Sequence, residues 1–321
     1  MNRRTLLAAA ASLPLLPRPA PAQAWPSRPI RIIVPFGAGG VADLTMRTVA
    51  QQLPARLGQP VVVENRPGAG GIPAAQAFLQ APPDGHTLMM ATNGTAVSRA
   101  LFRELPYDPL RDFAPVGLLG AFAIGVLVSP NGPAQDIGAV IARMRANPGR
   151  VNIGTITAGS TQNLSAELFK IRAGVQAEIV AFPQTPQLIT ALLRGDVDVA
   201  FEITGPIWGQ IESGAVKCVA VTSATRAANL PNVPTLMEAG VPDYDVTSWN
   251  AVVARAGTPA EVVTRLNAEI NAVLAMEEVR QALTRVGVEP RGSTPEALGQ
   301  LLAADIARWT EVVTRAGIPR Q

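Results

Sequence analysis

The chain has 321 residues, of which 48% are hydrophobic, enough to fill two separate cores. Residues 1–24 hold three of its 27 basic residues, Arg3, Arg4 and Arg18, and none of its 24 acidic ones, so the remainder is balanced and lacks the basic face that nucleic acid or an anionic membrane requires. With one cysteine, Cys218, and one histidine, His86, disulfide frameworks, ordinary zinc sites and thiol chemistry are excluded.

Two arginines precede an apolar run over 6–16, and Ala22-Gln23-Ala24 follows. This order predicts a secretory signal cleaved after Ala24, leaving a chain that starts at Trp25. A membrane anchor would need about 20 apolar residues, and this run is shorter and contains Pro14. Adjacent arginines suit either a twin-arginine or a general secretory signal, so the export route stays open. No later apolar stretch is long enough to span a bilayer, and a soluble product is expected.

Ile30-Arg31-Ile32-Ile33-Val34 is a β-branched run of the kind found in strands buried on both faces. The glycine turn from Gly37 to Gly40 leads the chain into a helix, with Leu44, Val49, Leu53 and Leu57 near helical spacing and Gly58 as its stop. A strand over 61–63 follows. The same alternation predicts a helix near 74–79, a strand over 87–91, a turn at Asn93-Gly94, and strands near 116–119 and 124–128. Next come helix 135–146, strand 151–154, helix 162–173, strand 178–182, helix 186–194, and strands 197–201 and 217–222. After Thr258 the chain is mostly helical, over 260–274, 278–286 and 295–316, with one extended piece near Val288. The order is that of an α/β protein with mainly parallel sheets flanked by helices. No flexible linker divides it, so we expect two lobes joined by crossing strands near 120–126 and 245–252. Lobe 1 would comprise 25–122 and 250–321, and lobe 2 would comprise 123–249.

Gly37, Ala38, Gly39 and Gly40 sit where a buried strand enters a helix, an arrangement that aims backbone amides at an anion. Each charge-assisted hydrogen bond is worth roughly 1.5–3 kcal/mol, and a helix dipole adds about 0.3–1 kcal/mol. A few such contacts reach the roughly 8 kcal/mol of a micromolar complex without any catalytic group. Thr92-Asn93-Gly94-Thr95 and the stretch from Gly154-Thr155 to Gly159-Ser160-Thr161 have the same placement, at the carboxyl ends of strands where ligands of such sheets bind. Glu202 closes a strand and is a further candidate to face a cleft.

Catalytic readings are weaker. Gly37-x-Gly39-x-x-Ala42 with Glu64 fits a dinucleotide fingerprint, but Glu64 is 27 residues from Gly37 where about 20 is usual. An exported nicotinamide-dependent oxidoreductase is therefore the competing reading. His86, in Pro83-Asp84-Gly85-His86, is read as a surface turn residue. Asp196 and Asp198 are read as a strand cap and rim. No Gly-x-Ser-x-Gly elbow is present.

Residues 28–36, Arg-Pro-Ile-Arg-Ile-Ile-Val-Pro-Phe, with Gly39, Gly40 and Asp43, and residues 58–71, Gly-Gln-Pro-Val-Val-Val-Glu-Asn-Arg-Pro-Gly-Ala-Gly-Gly, resemble the Bug family of tripartite tricarboxylate transporter substrate-binding proteins. Pro83-Asp84-Gly85, Thr92-Asn93-Gly94, Ala220-Val221-Thr222-Ser223, residues 230–235 and Ala256-Gly257-Thr258-Pro259 extend the likeness over nearly the whole mature chain. The resemblance implies a Venus-flytrap fold, type II-like, and a periplasmic protein that catalyses nothing and carries no cofactor or metal. It would act as a monomer, bind a small carboxylate and deliver it to membrane permease subunits. An extracytoplasmic partner of a signalling kinase would use the same clamp. Carried over by position, the ligand contacts would be Phe36, Gly37, Ala38, Gly39, Gly40, Asp43, Asn93, Gly94 and Thr95 from lobe 1. Lobe 2 would supply Thr155, Gly159, Ser160, Thr161, Phe182 and Glu202. Three places depart from the family pattern. Phe182-Pro183-Gln184-Thr185 replaces a Tyr-Lys-Gly-like run, Asn163 stands where a histidine is common, and Glu202 stands where aspartate is frequent. Phe182 and Trp249 make an apolar or aromatic acid a reasonable guest.

Overall fold

A computed structural model describes residues 25–157 and 159–321; the expected signal sequence lies outside the described residues. The first half runs β1 (Ile30–Val34), α1 (Val41–Leu57), β2 (Val61–Asn65), α2 (Ile72–Leu79), β3 (Thr87–Thr92) and α3 (Asn93–Leu101). One long strand, β4 (Phe113–Val128), carries the chain into the second half. There follow α4 (Ile137–Ala146), β5 (Asn152–Ile156), α5 (Thr161–Ala173), β6 (Glu178–Phe182), α6 (Thr185–Arg194), β7 (Val199–Ile203), α7 (Trp208–Glu212) and β8 (Lys217–Val221). The chain returns through β9 (Thr247–Arg255) and ends with α8 (Ala260–Leu274), α9 (Glu277–Arg285), β10 (Glu289–Pro290) and α10 (Pro295–Arg315).

These strands form one curled sheet in the order β2-β1-β3-β9-β4-β7-β5-β6, with β10 and β8 also paired to β4. Pairing direction explains where a site can lie. β3 is antiparallel to β9 and β9 to β4, so β1, β2 and β3 all run in the direction of β4 and point toward the second half. β7 is antiparallel to β4, and β5 and β6 are parallel to β7, so all three point back toward the first half. The carboxyl ends of both parallel sets therefore converge on one junction. An α/β protein of two half-sheets flanked by helices is what the alternation of elements predicts.

Local sequence accounts for most boundaries. The β-branched run of β1 is almost fully buried, and Gly58 ends α1 in the left-handed conformation, its N–H donating to the Pro54 carbonyl. Ile30, Ile32, Leu88 and Val252 pack under α1, α8 and α9. Each such burial contributes about 1.5–3 kcal/mol. The opposite face forms a cluster shared by the two halves, from Trp249, Leu302 and Trp309 to Ile124, Val126, Phe169 and Phe201. A third cluster, with Leu188, Leu192 and Val197, lies beneath α6 and α7.

Three local expectations are corrected. The two strands expected at 116–119 and 124–128 are one, β4: Gly120 does not break it but gives room for β10, since a Cβ there would stand 2.7 Å from the Glu289 carbonyl oxygen. Asn93-Gly94 is not a turn but the start of α3, because Thr92 and Thr95 close a capping box across that helix end. His86 is not a surface residue. It is buried against Trp25, with its Nε2 accepting the Ser27 N–H at 3.2 Å. No helix among the described residues is long and apolar enough to cross a membrane.

Candidate functional site

Three helices, α1, α3 and α5, begin at the junction where the strand ends converge. The loop before α1 carries Phe36, Gly37, Ala38, Gly39 and Gly40, all exposed. The Phe36 ring lies beside Gly94, 4.0 Å from where a Cβ on that glycine would stand. From α3, the buried Asn93 accepts a hydrogen bond at Oδ1 from the Thr161 hydroxyl at 2.8 Å. That bond crosses from one half to the other. Leu101 also packs against Gly159. The structure thus gathers the predicted segments 36–40, 93–95 and 159–161.

What it does not leave free is most of their side chains. Asp43 is buried and accepts from the Gly39 N–H at 2.9 Å, from Arg47 at 3.0 Å and from Asn65 at 2.8 Å. Burial alone would raise its carboxyl, but these donors outweigh it and hold the group below the ordinary carboxylate range. Asp43 therefore fixes the glycine loop and takes one of its amides. Asn65 also donates to the Phe36 carbonyl at 3.0 Å. The Thr95 hydroxyl accepts from the Thr92 N–H. In the second half, Thr155 accepts from the Asn163 amide group at 3.1 Å, Asn163 Oδ1 accepts from the Gly159 N–H at 3.0 Å, and Ser160 caps α5 by accepting from the Asn163 N–H.

Glu202 is buried between the first turns of α5 and α6. Its oxygens accept from Gln162 at 2.7 Å, Thr185 at 2.9 Å and the Ile203 N–H at 2.7 Å. Burial raises its carboxyl despite these donors. Phe182 accepts the Thr157 N–H at its carbonyl at 2.9 Å. Its ring shares the space over Gly154 with Leu188 and Val197, in the layer under α6. Trp249 is a core residue, its indole N–H donating to Asp305 at 2.7 Å.

The groups that remain are backbone donors. Gly40 caps α1 with no side-chain bond, so the amides of its first turn, with Gly37, Ala38 and Gly40, are open to a guest. The first amides of α3, at Asn93 and Gly94, and of α5, at Thr161 and Gln162, likewise have no hydrogen-bond partner among the described residues, but Asn93, Thr161 and Gln162 are buried. No lysine or arginine lies in 36–42, 93–95, 155–161, 182–186 or 202–207. The arrangement offers an anion oriented N–H dipoles rather than a counter-charge. The dinucleotide alternative loses its acid, because Glu64 is ion-paired to Arg31 and Arg66.

Sequence reasoning missed Asp305. Buried on α10, it accepts from Asn93 at 2.8 Å, Trp249 and Arg308, which ties α3 and β9 to the last helix. The signal was present: Leu298, Leu302, Asp305, Trp309 and Val312 recur at helical spacing, placing an acid within an apolar stripe.

Residues 45–318 match the family model described as tripartite tricarboxylate transporter family receptor. The chain is 34% identical over 301 residues to protein BugT of Bordetella pertussis, covering 93% of this chain and 92% of that protein. Among solved structures, it is similar to Rpa4515 of R. palustris with adipate, with TM-score 0.77 and 34% identity over 92% of this chain and 99% of that one. It is similar also to MatC of Rhodopseudomonas palustris with bound malate, with TM-score 0.73 and 33% identity over 90% and 100%.

Proposed function

The chain belongs to the tripartite tricarboxylate transporter receptor family, and from that premise we propose that it captures a small organic acid in the periplasm and hands it to the membrane subunits of a transporter. The family is one of receptors, not enzymes. Export would use residues 1–24 with cleavage near Ala24. The lobes would be 25–122 with 250–321, and 123–249, working as a monomer and closing on the guest.

The observation that supports this reading best is the meeting of three helix N-termini at one junction, with the exposed amides of the glycine loop and no lysine or arginine in the converging loops. A carboxylate would lie against Gly37, Ala38 and Gly40 and be completed by the α3 and α5 amides. Asp43, Asn93, Thr155, Ser160, Thr161 and Glu202 would act mainly by holding those amides in place, and Phe182 by backing the second-half wall. Two solved relatives carry adipate and malate, which makes aliphatic acids the first to try. Calorimetric titration of the purified chain with malate, adipate and benzoate tests the reading. Saturable binding of at least one acid is expected, weakened at least ten-fold by Asp43→Ala, which frees the glycine loop. Silence toward a broad set of carboxylates, or a parent-like affinity in Asp43→Ala, would remove the site from this junction.

A further inference from the structure

A cavity of about 600 Å³ among the described residues is lined by none of the residues assigned to the carboxylate junction. It lies between the loop 223–229, which follows β8, and the segment around β10. Those two strands are each paired with β4, and the last residues of β1, β3, β5 and β6 are not among those lining the cavity. Its volume is that of a small-molecule site. Phe122, Trp249, Leu298 and Leu301 give it an apolar lining.

Four charged residues reach this lining, and two are already committed. Arg226 is ion-paired with Glu238, and Asp245 accepts the Ala224 N–H at 3.0 Å. The other two, Glu289 and Arg291, have no ion-pair or side-chain hydrogen-bond partner among the described residues. They flank Pro290 at β10, and residues two apart on an extended chain project to the same side at a separation of roughly 7 Å. An acid and a base, neither in an ion pair among the described residues, thus stand two positions apart on the cavity wall.

We propose that this cavity is a second ligand site, for a free amino acid with an aliphatic or aromatic side chain. The guest's carboxylate would pair with Arg291, its ammonium with Glu289, and its side chain would cover Phe122 and Leu301. A monocarboxylate would leave Glu289 unanswered, and an amine would leave Arg291 so. This requirement for both charges separates the site from the carboxylate junction.

Calorimetry on the purified full chain with leucine, 4-methylpentanoate and 3-methylbutylamine tests the proposal. Leucine is expected to bind saturably and each analogue at least ten-fold more weakly. Glu289→Ala and Arg291→Ala, both at exposed positions, should each weaken leucine at least ten-fold while melting like the parent. Ala297→Trp, which fills the cavity, should abolish binding. Absence of leucine and phenylalanine binding overturns the proposal, as do equal affinities for the analogues or indifference to both alanine variants. So does competition between leucine and any acid that binds the junction. These readouts do not require a carboxylate ligand to have been found, so failure here and failure of the receptor reading are separable.

Discussion

Glu202 is a buried carboxylate whose oxygens are taken up by Gln162, Thr185 and the Ile203 N–H. Its folded-state carboxyl is raised above the ordinary value of 4.5, chiefly by burial. Between that value and the raised one, the folded chain keeps a proton that the unfolded chain has lost, so stability falls as pH rises through this window. The penalty is complete once the pH exceeds the raised folded value. Below the unfolded value both states are protonated and it disappears. Glutamine offers the same shape with no charge, and its amide can still satisfy Gln162, Ile203 and Thr185. Glu202→Gln is therefore expected to be more stable than the parent in urea at pH 7 and indistinguishable from it near pH 4. An unchanged or lower midpoint at pH 7 would mean that the carboxylate is held ionised by something this geometry does not contain. Asp305 shares the pattern, raised by burial although Trp249, Arg308 and Asn93 each act to lower it.

At the scale of elements, α3 depends on its first turn. Thr92 and Thr95 bond reciprocally across the helix start, and the helix then buries Ala96, Val97, Ala100 and Leu101. Losing an N-cap side chain costs about 1 kcal/mol. Thr92→Ala should lower stability by that amount in urea unfolding. It should also weaken binding at the junction, because the cap orients Asn93 and the first amides of the helix. A variant that loses stability but keeps full affinity would separate α3 from the site. This helix was the hardest to read in the sequence, since Asn-Gly is also a strong turn signal and the capping box uses threonine where glutamate or glutamine is usual. The longer elements, such as α8 with its repeated apolar face, were legible because their periodicity is internal to the segment.

Across the whole molecule, the two halves touch where β7 leads into Gly205 and α9 into Gly287. A Cβ on Gly287 would stand 2.2 Å from the Gly205 Cα, and its φ of +78° also favours glycine. Backbone therefore meets backbone at this contact, and no larger side chain fits without moving one half. Gly287→Val is expected to hold the halves apart, giving a larger radius of gyration in small-angle scattering that does not contract on adding ligand. Gly209→Ala, in open space, should behave like the parent. Equal radii for both variants, free and saturated, would show that this contact does not limit closure.

The alternation of elements apart from β4 and α3, the balanced charge and the glycine loop after β1 were legible in the sequence alone, because each depends on residues a few positions apart. Which polar groups remain for a guest was decided only by tertiary structure. Asn93 is consumed by Thr161 and by Asp305, 212 residues away, and Glu202 by Gln162, 40 residues away. Hydrogen-bonding capacity is saturable, so a side chain's availability depends on every partner the fold brings within reach, and chain order does not encode that distance.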